Sequence, residues 1–324
     1  MLGLPTVPER QPEHAAPAGP LLAIGGPTAS GKSALAVGLA LALGGEIVNA
    51  DSRQVYRGMD IGTAKPTAAQ RAAVPHHLLD LADPAEEFTL AHYAVAAHAA
   101  IRAIQARGRL PILAGGTGLY LRAVTQGYTV PEAPPNPALR RELDARVAAD
   151  GLGALVAQLE ALDPVTAARI DSKNPRRVIR ALEVCLTLGV PFSTLQRRSP
   201  PYRHLTLVLT GERERLYARA DARLAGMLVA GFAAEVAALL EAGADPAMPA
   251  MSALGYRELA GWLRGETGRE AAVEATRLAT HGFIRRQVTW FRGEQGAQMI
   301  SIDHGDPIAS ALPLVEAHLA VAPR

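Results

Sequence analysis

The stretch LLAIGGPTASGKS, residues 21–33, decides the fold of this chain. A short apolar run is followed by Gly26, four further residues and Gly31-Lys32-Ser33, and then by the helix-like SALAVGLALAL. Strand, glycine-rich loop and helix in that order are the context of a P-loop, whose backbone N–H groups and lysine surround phosphate oxygens. The predicted phosphate- or nucleotide-binding residues are Gly26, Pro27, Thr28, Ala29, Ser30, Gly31, Lys32 and Ser33. A P-loop predicts a site and not a reaction, because many unrelated proteins carry one.

Composition sets the class of protein. The chain has 324 residues, 49% of them hydrophobic, which is enough for one large globular domain or two ordinary ones. The formal net charge is only +2, so any nucleic-acid contact must come from local basic surfaces. The single cysteine, Cys185, excludes an intramolecular disulfide and a cysteine-cluster metal site. We expect a cytoplasmic protein, since unpaired cysteine is typical of reducing compartments.

The chain ends and the helices give no sign of a membrane protein. Residues 1–20 are rich in Pro and Ala and lack the uninterrupted apolar core of a signal peptide, so we expect a disordered extension. No stretch approaches the roughly 18 to 20 apolar residues that a membrane span needs. Neither a heptad pattern nor an exposed apolar stripe is evident, and the chain is expected to be a monomer.

Four apolar runs predict buried strands: LLAIGG, EIVNADS, LPILAGGTG and HLTLVLTG. Helix-like stretches separate the first three, which favours an α/β fold with a P-loop NTPase-like, mostly parallel sheet flanked by helices. Residues 127–201 show only helical segments, with Asn136-Pro137 and Pro175 as helix starts and Gly189 as a helix end. We therefore predict an all-helical insertion at 127–201 in a core of 21–126 and 202–324, whose end is again helical.

Residues that follow neighbouring parallel strands meet at one edge of a sheet, which is where open α/β sheets bind ligands. The first strand leads into the P-loop, the second into Asp51-Ser52, and the third into the glycine-rich run around Thr117. The sequence alone leaves open whether Asp51 is a general base, a helix cap or a residue behind a magnesium ion.

Downstream of Asp51 the chain reads DSRQVYRGMDIGTAKP, and together with the P-loop this block resembles the tRNA dimethylallyltransferase (tRNA isopentenyltransferase) family. Further blocks in family order are PHHLLDLADPAEEFT, GRLPILAGGTGLYLRA, NPRRVIRALEV, GFAAEVAALL, LGYREL and RRQVTWFR. The likeness covers nearly all of the chain after residue 20, and chance does not produce so many ordered blocks.

The resemblance implies transfer of the dimethylallyl group of dimethylallyl diphosphate to N6 of adenosine 37 in the tRNA anticodon loop. It implies that the P-loop holds the leaving diphosphate, with Ser33 as the ligand of a Mg²⁺ cofactor. Asp51 matches the family's general base, Thr117 a residue beside the reacting amine, and Arg219 an arginine on the diphosphate. Arg223 is the neighbouring alternative to Arg219, and we expect it on a solvated helix face.

The resemblance also implies a tRNA-binding surface. In the last long helix, Arg277, His281, Arg285 and Arg292 fall on one stripe, whereas Phe283 and Trp290 are expected to point towards a core. Positive charge also lies along one side of an insertion helix, at Lys173, Arg176, Arg177 and Arg180. Either set of charges could alternatively form an ordinary solvated helix face. The predicted tRNA-binding residues are Asp51, Ser52, Arg53, Gln54, Arg176, Arg177, Arg180, Gly255, Tyr256, Arg257, Arg285, Arg286, Gln287 and Arg292.

The chain departs from the family pattern after Thr280, where His281-Gly282 stands in place of the usual Arg-Gln. This change removes a permanent charge from a predicted RNA contact. Arg176 stands where glutamine is usual, and we hypothesise that it restores the charge. His76 and His77 lack partners at metal spacing, so structural roles are expected and no zinc site is predicted.

Three other interpretations of the protein's function stay open from the sequence. A small-molecule or nucleotide kinase would use the P-loop for phosphoryl transfer from ATP. A nucleotide-gated RNA-binding switch is a second, although the Asn-Lys-x-Asp run of guanine-binding GTPases is not found in the chain. The third is an adenylate isopentenyltransferase, which would transfer the same group to a free nucleotide. The basic stripes and the large insertion argue against it, because they favour a bulky acceptor.

Overall fold

A computed structural model describes residues 18–127, 136–195 and 199–321 of the chain. Its strands are Ala18–Gly25 (β1), Gly45–Asn49 (β2), His76–His77 (β3), Leu110–Ala114 (β4), Tyr202–Thr210 (β5) and Gln298–Ser301 (β6). They form one sheet in the order β3-β2-β4-β1-β5-β6, and every neighbouring pair is parallel. The predicted α/β class with a parallel sheet is confirmed.

One group of helices covers both faces of the sheet, and a second group builds the insertion. They are Lys32–Leu43 (α1), Ala68–Ala73 (α2), Leu90–Ala106 (α3), Gly118–Thr125 (α4), Pro137–Asp150 (α5), Leu152–Leu162 (α6), Pro164–Ala167 (α7), Pro175–Leu188 (α8), Phe192–Leu195 (α9), Arg213–Val229 (α10), Phe232–Glu241 (α11), Tyr256–Leu263 (α12), Arg269–Arg292 (α13) and Pro307–Ala320 (α14). Alternate β1 side chains enter opposite cores, as the two-residue period of a strand requires. Leu21 and Ala23 pack in the core that contains α3 and α4, whereas Leu22 and Ile24 pack in the one that contains α1 and α14.

Two strands differ from the sequence prediction. The apolar run LLDL at residues 78–81 is not a strand, because Leu78 and Asp80 have positive φ angles of 64° and 57°. The two histidines before it form β3 instead, with His77 beside Val48 of β2. His77 also contacts the Glu46 carboxylate at 2.7 Å, in keeping with the predicted structural role. At the other edge, β6 lies within a region that the sequence predicted as helical.

The boundary of the first strand also differs. Of the predicted extension 1–20, residues 1–17 lie outside the described residues. Residues 18–20 are part of β1, because Ala18 and Pro20 pair with Tyr202 and Arg203 of β5.

The chain packs as two compact units. The described residues up to Thr125 and from Pro200 onwards form one unit, which contains the sheet, and those from Gln126 to Ser199 form the other. In the second unit, residues 136–195 contain five helices and no strand. The predicted helix ends there are confirmed: Asn136 Oδ1 accepts a hydrogen bond from Leu139 N, and Gly189 ends α8 with φ 68°.

A buried carboxylate ties two helices of this second unit together. Glu183 of α8 is fully buried and accepts hydrogen bonds from Asn136 N, Arg140 and Arg180 at 2.6–3.1 Å. Burial alone would raise the pKa of Glu183, but the hydrogen bonds from Asn136 and the two arginines outweigh it and lower the pKa. Arg180, predicted to bind tRNA, therefore serves the packing of its own unit.

Among the described residues no single helix is both long enough and apolar enough to cross a bilayer. The bent pair α10 and α11 passes a test of length and composition only when the two helices are joined across a 59° bend. Leu224 of α10 and Phe232 and Val236 of α11 are buried in the core.

Candidate active site

A cavity of about 530 Å³ lies where β1, β2 and β4 end. The loops after these strands supply Thr28, Asp51 and Thr117 to its wall, as the parallel topology predicted. Further parts of the wall come from the loop of residues 62–64, from residues 252–254 and from α1, α4, α10, α11 and α13.

The P-loop is shaped by glycine. Gly26 has φ +142°, and a Cβ there would lie 2.7 Å from Leu209 O, so no other residue fits. Gly31 also has a positive φ and precedes α1, which begins at Lys32 and points its N-terminus into the loop. Backbone N–H groups and the helix dipole make this loop suitable for an anion.

Lys32 carries the charge of the loop. Its Nζ donates a hydrogen bond to Pro27 O at 2.6 Å, and the side chain lines the cavity. Burial lowers the pKa of Lys32 to about 8, with the carboxylate of Asp51 opposing the shift and the charge of Arg223 adding to it. The lysine, the aspartate and the arginine therefore interact electrostatically around one space.

Two arginines of α10 approach the P-loop. A Cβ on Gly31 would lie 3.6 Å from Arg219 Nη2, which places this guanidinium beside the loop. Arg223, one helical turn later, lines the cavity itself, and burial followed by the charge of Arg219 lowers its pKa. Arg223 keeps an exposed surface, as expected, but its place in the cavity wall was not predicted. An arginine four residues from a phosphate-loop arginine was the available sequence signal.

The second and third strand ends are joined by hydrogen bonds around Asp51. Thr117 Oγ1 accepts a hydrogen bond from Ser52 N at 3.0 Å and donates one to Ser52 Oγ at 3.2 Å. Asp51 Oδ1 accepts a hydrogen bond from Arg53 N at 2.9 Å. A Cβ on Gly116 would lie 3.8 Å from Asp51 Oδ2, so this oxygen faces the glycine-rich loop. Asp51 and Thr117 are thus held side by side, as predicted.

Gln287 of α13 links the first and third strand ends. Its Oε1 accepts hydrogen bonds from Thr28 N and Thr28 Oγ1 at 2.7 and 2.9 Å, and its Nε2 donates one to Gly116 O at 2.9 Å. The side chain is buried. Both ends of the amide are therefore hydrogen-bonded within the protein, and the contact of Gln287 with tRNA stays a prediction.

Two aromatic residues of α13, Phe283 and Trp290, form part of the wall. Trp290 also packs against the core, as expected, whereas the cavity position of both side chains was not predicted. The Trp290 indole lies against Gly118, where a Cβ would come within 1.9 Å of Nε1. The Arg122 guanidinium lies over the indole at 4.4 Å and contacts Glu294 at 2.7 Å. The sequence could not separate the cavity face of α13 from its core face, because both are apolar in part.

The other residues predicted to bind tRNA fall into two groups. Tyr256 is fully buried and donates its hydroxyl to Glu235, and Gly255 is buried beside it, so neither presents an exposed surface, and their contact with tRNA stays a prediction. The second group is exposed or lines the cavity and consists of Ser52, Arg53, Gln54, Arg176, Arg177, Arg257, Arg285, Arg286 and Arg292.

The departure at residues 281–282 has a local explanation. His281 is buried, stacks on Tyr217 with ring centroids 3.9 Å apart, and contacts Asp221 at 2.7 Å. A Cβ on Gly282 would lie 3.4 Å from Arg286 Nη1 and 3.6 Å from Arg285 Nη2. These are ordinary van der Waals distances, so space does not require a glycine at this position, and α13 continues through it without a break.

Comparisons with known proteins agree on one family. The family model described as IPP transferase matches residues 54–294, and the one described as Isopentenyl transferase matches residues 20–82. The tRNA dimethylallyltransferase of Chloroflexus aggregans is 51% identical over 287 residues, which cover 88% of this chain and 97% of that protein. That of Thermomicrobium roseum is 50% identical over 274 residues, which cover 84% of this chain and 83% of that protein.

Solved structures give the same result. The tRNA isopentenylpyrophosphate transferase of Bacillus halodurans is similar with a TM-score of 0.70 and 38% identity, covering 92% of this chain and 96% of that one. A eukaryotic dimethylallyltransferase captured acting on tRNA is similar with a TM-score of 0.76 and 26% identity, covering 92% of this chain and 78% of that one. The similarity in both cases covers nearly the whole chain.

Proposed function

We propose a reaction for this cavity from the premise that the chain belongs to the IPP transferase family, which includes the tRNA dimethylallyltransferases. The reaction is transfer of the dimethylallyl group from dimethylallyl diphosphate to N6 of adenosine 37 in the anticodon loop of tRNA, with release of diphosphate. One observation carries the proposal: a cationic phosphate loop and the paired Asp51 and Thr117 line the same cavity.

The donor side of the cavity, defined as the P-loop with Arg219 and Arg223, would hold the diphosphate. The allylic C–O bond breaks more easily when the negative charge that leaves with the diphosphate is already neutralised. Loop N–H groups, the Lys32 ammonium and the two guanidiniums supply that neutralisation, and a guanidinium suits a pair of phosphate oxygens. Their charges act in a partly enclosed space, where electrostatic interactions are stronger than in water.

The residues present fit a magnesium ion bound together with the diphosphate. The Ser33 hydroxyl lines the cavity and is an oxygen ligand of the kind Mg²⁺ takes, and the ion usually keeps several waters and binds substrate phosphates. In the described ranges no group of three or more His, Cys, Asp or Glu side chains is arranged to hold a metal, so a site made by protein carboxylates alone is not indicated. When bound, the ion would add positive charge at the leaving group.

The acceptor side, defined as Asp51, Ser52, Gln54 and Thr117, would hold the adenine amine. An exocyclic amine is a poor nucleophile because its lone pair is delocalised into the ring, so a base must take a proton as the N–C bond forms. Asp51 Oδ2 is the atom we assign to that proton, since Oδ1 is engaged by Arg53 N. The bond from Ser52 N to Thr117 Oγ1 keeps the threonine beside the aspartate.

Adenosine 37 would leave the stack of the anticodon loop to reach this cavity, as bases do in enzymes that modify them. The exposed arginines predicted above, on the insertion and on α13, are then the contacts to the tRNA backbone. We propose that the enzyme acts as a monomer in the cytoplasm. Light scattering of the purified protein with and without tRNA tests the proposed oligomeric state.

Mass spectrometry of nucleosides from unmodified tRNA tests the reaction. The tRNA is incubated with protein, magnesium and dimethylallyl diphosphate, beside a reaction that contains ATP instead. We expect N6-dimethylallyladenosine only with dimethylallyl diphosphate. Consumption of ATP without a modified nucleoside would contradict the proposal and favour a kinase.

A further inference from the structure

Part of the block DSRQVYRGMDIGTAKP has no role in the proposed reaction. After Asp51 and Ser52 the chain continues into a loop, residues 59–65, of which Gly62, Thr63 and Ala64 line the cavity. The interactions of this loop show what it does to its neighbour Gln54.

Glu235 of α11 holds the first half of the loop. Its carboxylate accepts hydrogen bonds from three successive backbone groups, Asp60 N, Ile61 N and Gly62 N, at 2.8, 2.7 and 3.1 Å. The Tyr256 hydroxyl donates a fourth bond to the same carboxylate at 2.7 Å. Hydrogen bonds to a charged acceptor are the stronger kind, so this half of the loop is fixed against α11.

Lys65 holds the second half. Its ammonium is buried and contacts Asp60 at 2.6 Å, Asp80 at 2.5 Å and Tyr56 O at 2.6 Å. Between the two anchors a Cβ on Gly62 would lie 2.1 Å from the Phe232 ring, so the loop packs on that ring without free space. The carbonyl groups of the loop therefore have fixed directions.

Two of these carbonyls set the orientation of the Gln54 amide. Gln54 Nε2 donates hydrogen bonds to Thr63 O at 3.0 Å and to Ala64 O at 3.1 Å. A flipped amide would place Oε1 against both carbonyl oxygens, so only one orientation is compatible with the loop. Gln54 also lines the cavity, and among the described residues no hydrogen bond to its Oε1 is found. In the cavity Gln54 can then act as a hydrogen-bond acceptor and not as a donor.

We infer that Gln54 determines the specificity of the site for a base with an amine at position 6, by accepting one of its two N–H bonds at Oε1. This inference rests on the proposed function. Asp51 takes the other proton, and the secondary amine of the product keeps the hydrogen that faces Gln54. A purine with a carbonyl at position 6 would set oxygen against oxygen and leave both acceptors without a partner.

Binding of two anticodon stem-loops tests the inference, one with adenosine and one with inosine at position 37. Inosine carries a carbonyl in place of the amine. The variant is Gln54→Met, which keeps the length of the side chain and removes its acceptor. We expect the Kd for the adenosine stem-loop to rise about tenfold, the order of one hydrogen bond, while the Kd for the inosine stem-loop does not rise.

Equal weakening of both stem-loops would overturn the inference, because a merely structural role of Gln54 does not distinguish the two bases. An unchanged ratio of the two Kd values would overturn it as well. Arg57→Met is the matched control: Arg57 lies in the same block, contacts Asp83 at 2.5 Å and is not part of the cavity wall, so the ratio should stay at the wild-type value.

Failure of the inference is distinguishable from failure of the proposed function. If the reaction itself is wrong, wild-type protein forms no N6-dimethylallyladenosine on the adenosine stem-loop. If only the role of Gln54 is wrong, wild-type protein forms the product and Gln54→Met keeps the discrimination between the two stem-loops.

Discussion

The donor side and the acceptor side of the cavity are built in different ways. Most donor-side groups come from the consecutive residues 26–33, whose conformation is set locally by glycines and by the start of α1. The acceptor side depends on hydrogen bonds between strand ends that are far apart in sequence, such as Ser52 to Thr117, and on the loop that fixes Gln54. A contiguous motif therefore makes one half-site robust, whereas the other half requires the whole fold.

The largest effect should come from the acceptor side. Asp51→Ala removes the proposed base, and we expect kcat to fall by about 10²- to 10⁴-fold while tRNA binding is kept. Single-turnover assays with dimethylallyl diphosphate give the rate, and anisotropy of a labelled stem-loop gives the affinity. Turnover close to wild type would remove Asp51 as the base. Asp144→Ala, on the exposed surface of the insertion, is the control for a lost carboxylate.

On the donor side Lys32→Ala should act mainly on the diphosphate substrate. Loss of a charged hydrogen-bond donor costs about 1.5–3 kcal/mol, so we expect the KM for dimethylallyl diphosphate to rise by roughly 10- to 150-fold. The affinity for tRNA should change little. Steady-state kinetics with each substrate varied in turn separates the two. Unchanged KM for the donor would exclude the assigned role of Lys32.

The pH dependence sharpens the same assignment. Because the pKa of Lys32 is about 8, the unliganded loop loses its charge above that pH. We expect the Kd for dimethylallyl diphosphate to rise by up to about fivefold between pH 8 and pH 9, and Lys32→Arg to flatten that dependence, since arginine stays charged. Titration calorimetry at several pH values checks both.

The same group has the opposite effect on stability. Between about pH 8 and the unfolded value of 10.5, the folded chain binds fewer protons at Lys32 than the unfolded chain does. Its contribution to the free energy of unfolding therefore rises with pH across that window, while donor affinity falls. Thermal melts of wild type and Lys32→Arg without substrate would separate this contribution. A steeper loss of stability in wild type would contradict the assigned pKa.

Gln287 is the residue through which the two sides are joined, and its removal tests how independent they are. Gln287→Ala leaves Thr28 and Gly116 without their buried partner, so we expect the free energy of unfolding to fall by about 1–3 kcal/mol. We also expect the KM for the donor to rise and kcat to fall. Loss of tRNA affinity alone would instead support the direct tRNA contact predicted from the sequence.

The sequence predicted the sheet where apolar runs are long and buried. The four predicted strands became β1, β2, β4 and β5, because strands covered on both faces need continuous apolar residues. The edge strands β3 and β6 were missed for the same physical reason. β3 has two histidines only, and β6, QMIS, has a half-exposed polar pattern that gives no period to detect.

The sequence predicted the site residues that come directly after a predicted strand. Asp51 and Thr117 lie where the topology required, whereas the place of the exposed Arg223 in the cavity wall was missed, because charge spacing on a helix such as α10 predicts exposure but not a cavity. The sequence predicted that Phe283 and Trp290 of α13 face a core but not that they line the cavity, because helical spacing groups residues on a face without showing what that face meets. The role of Glu235 in holding the loop of residues 59–65 could not be predicted from the sequence. Its carboxylate accepts hydrogen bonds from backbone N–H groups, which leave no side-chain pattern to detect.

The smallest effect is expected on the insertion, where two arginines of α8 predicted to bind tRNA have different surroundings. Arg176 is exposed, and Arg176→Gln should lower the slope of log K against log salt by about 1, with a several-fold loss of tRNA affinity, as for one phosphate contact. Arg180 contacts the fully buried Glu183 at 2.6 Å, so Arg180→Gln should lower the melting temperature instead. Filter binding across a salt series and thermal melts compare the two variants. An unchanged salt slope for Arg176→Gln would exclude the hypothesis that this arginine restores the charge lost at His281.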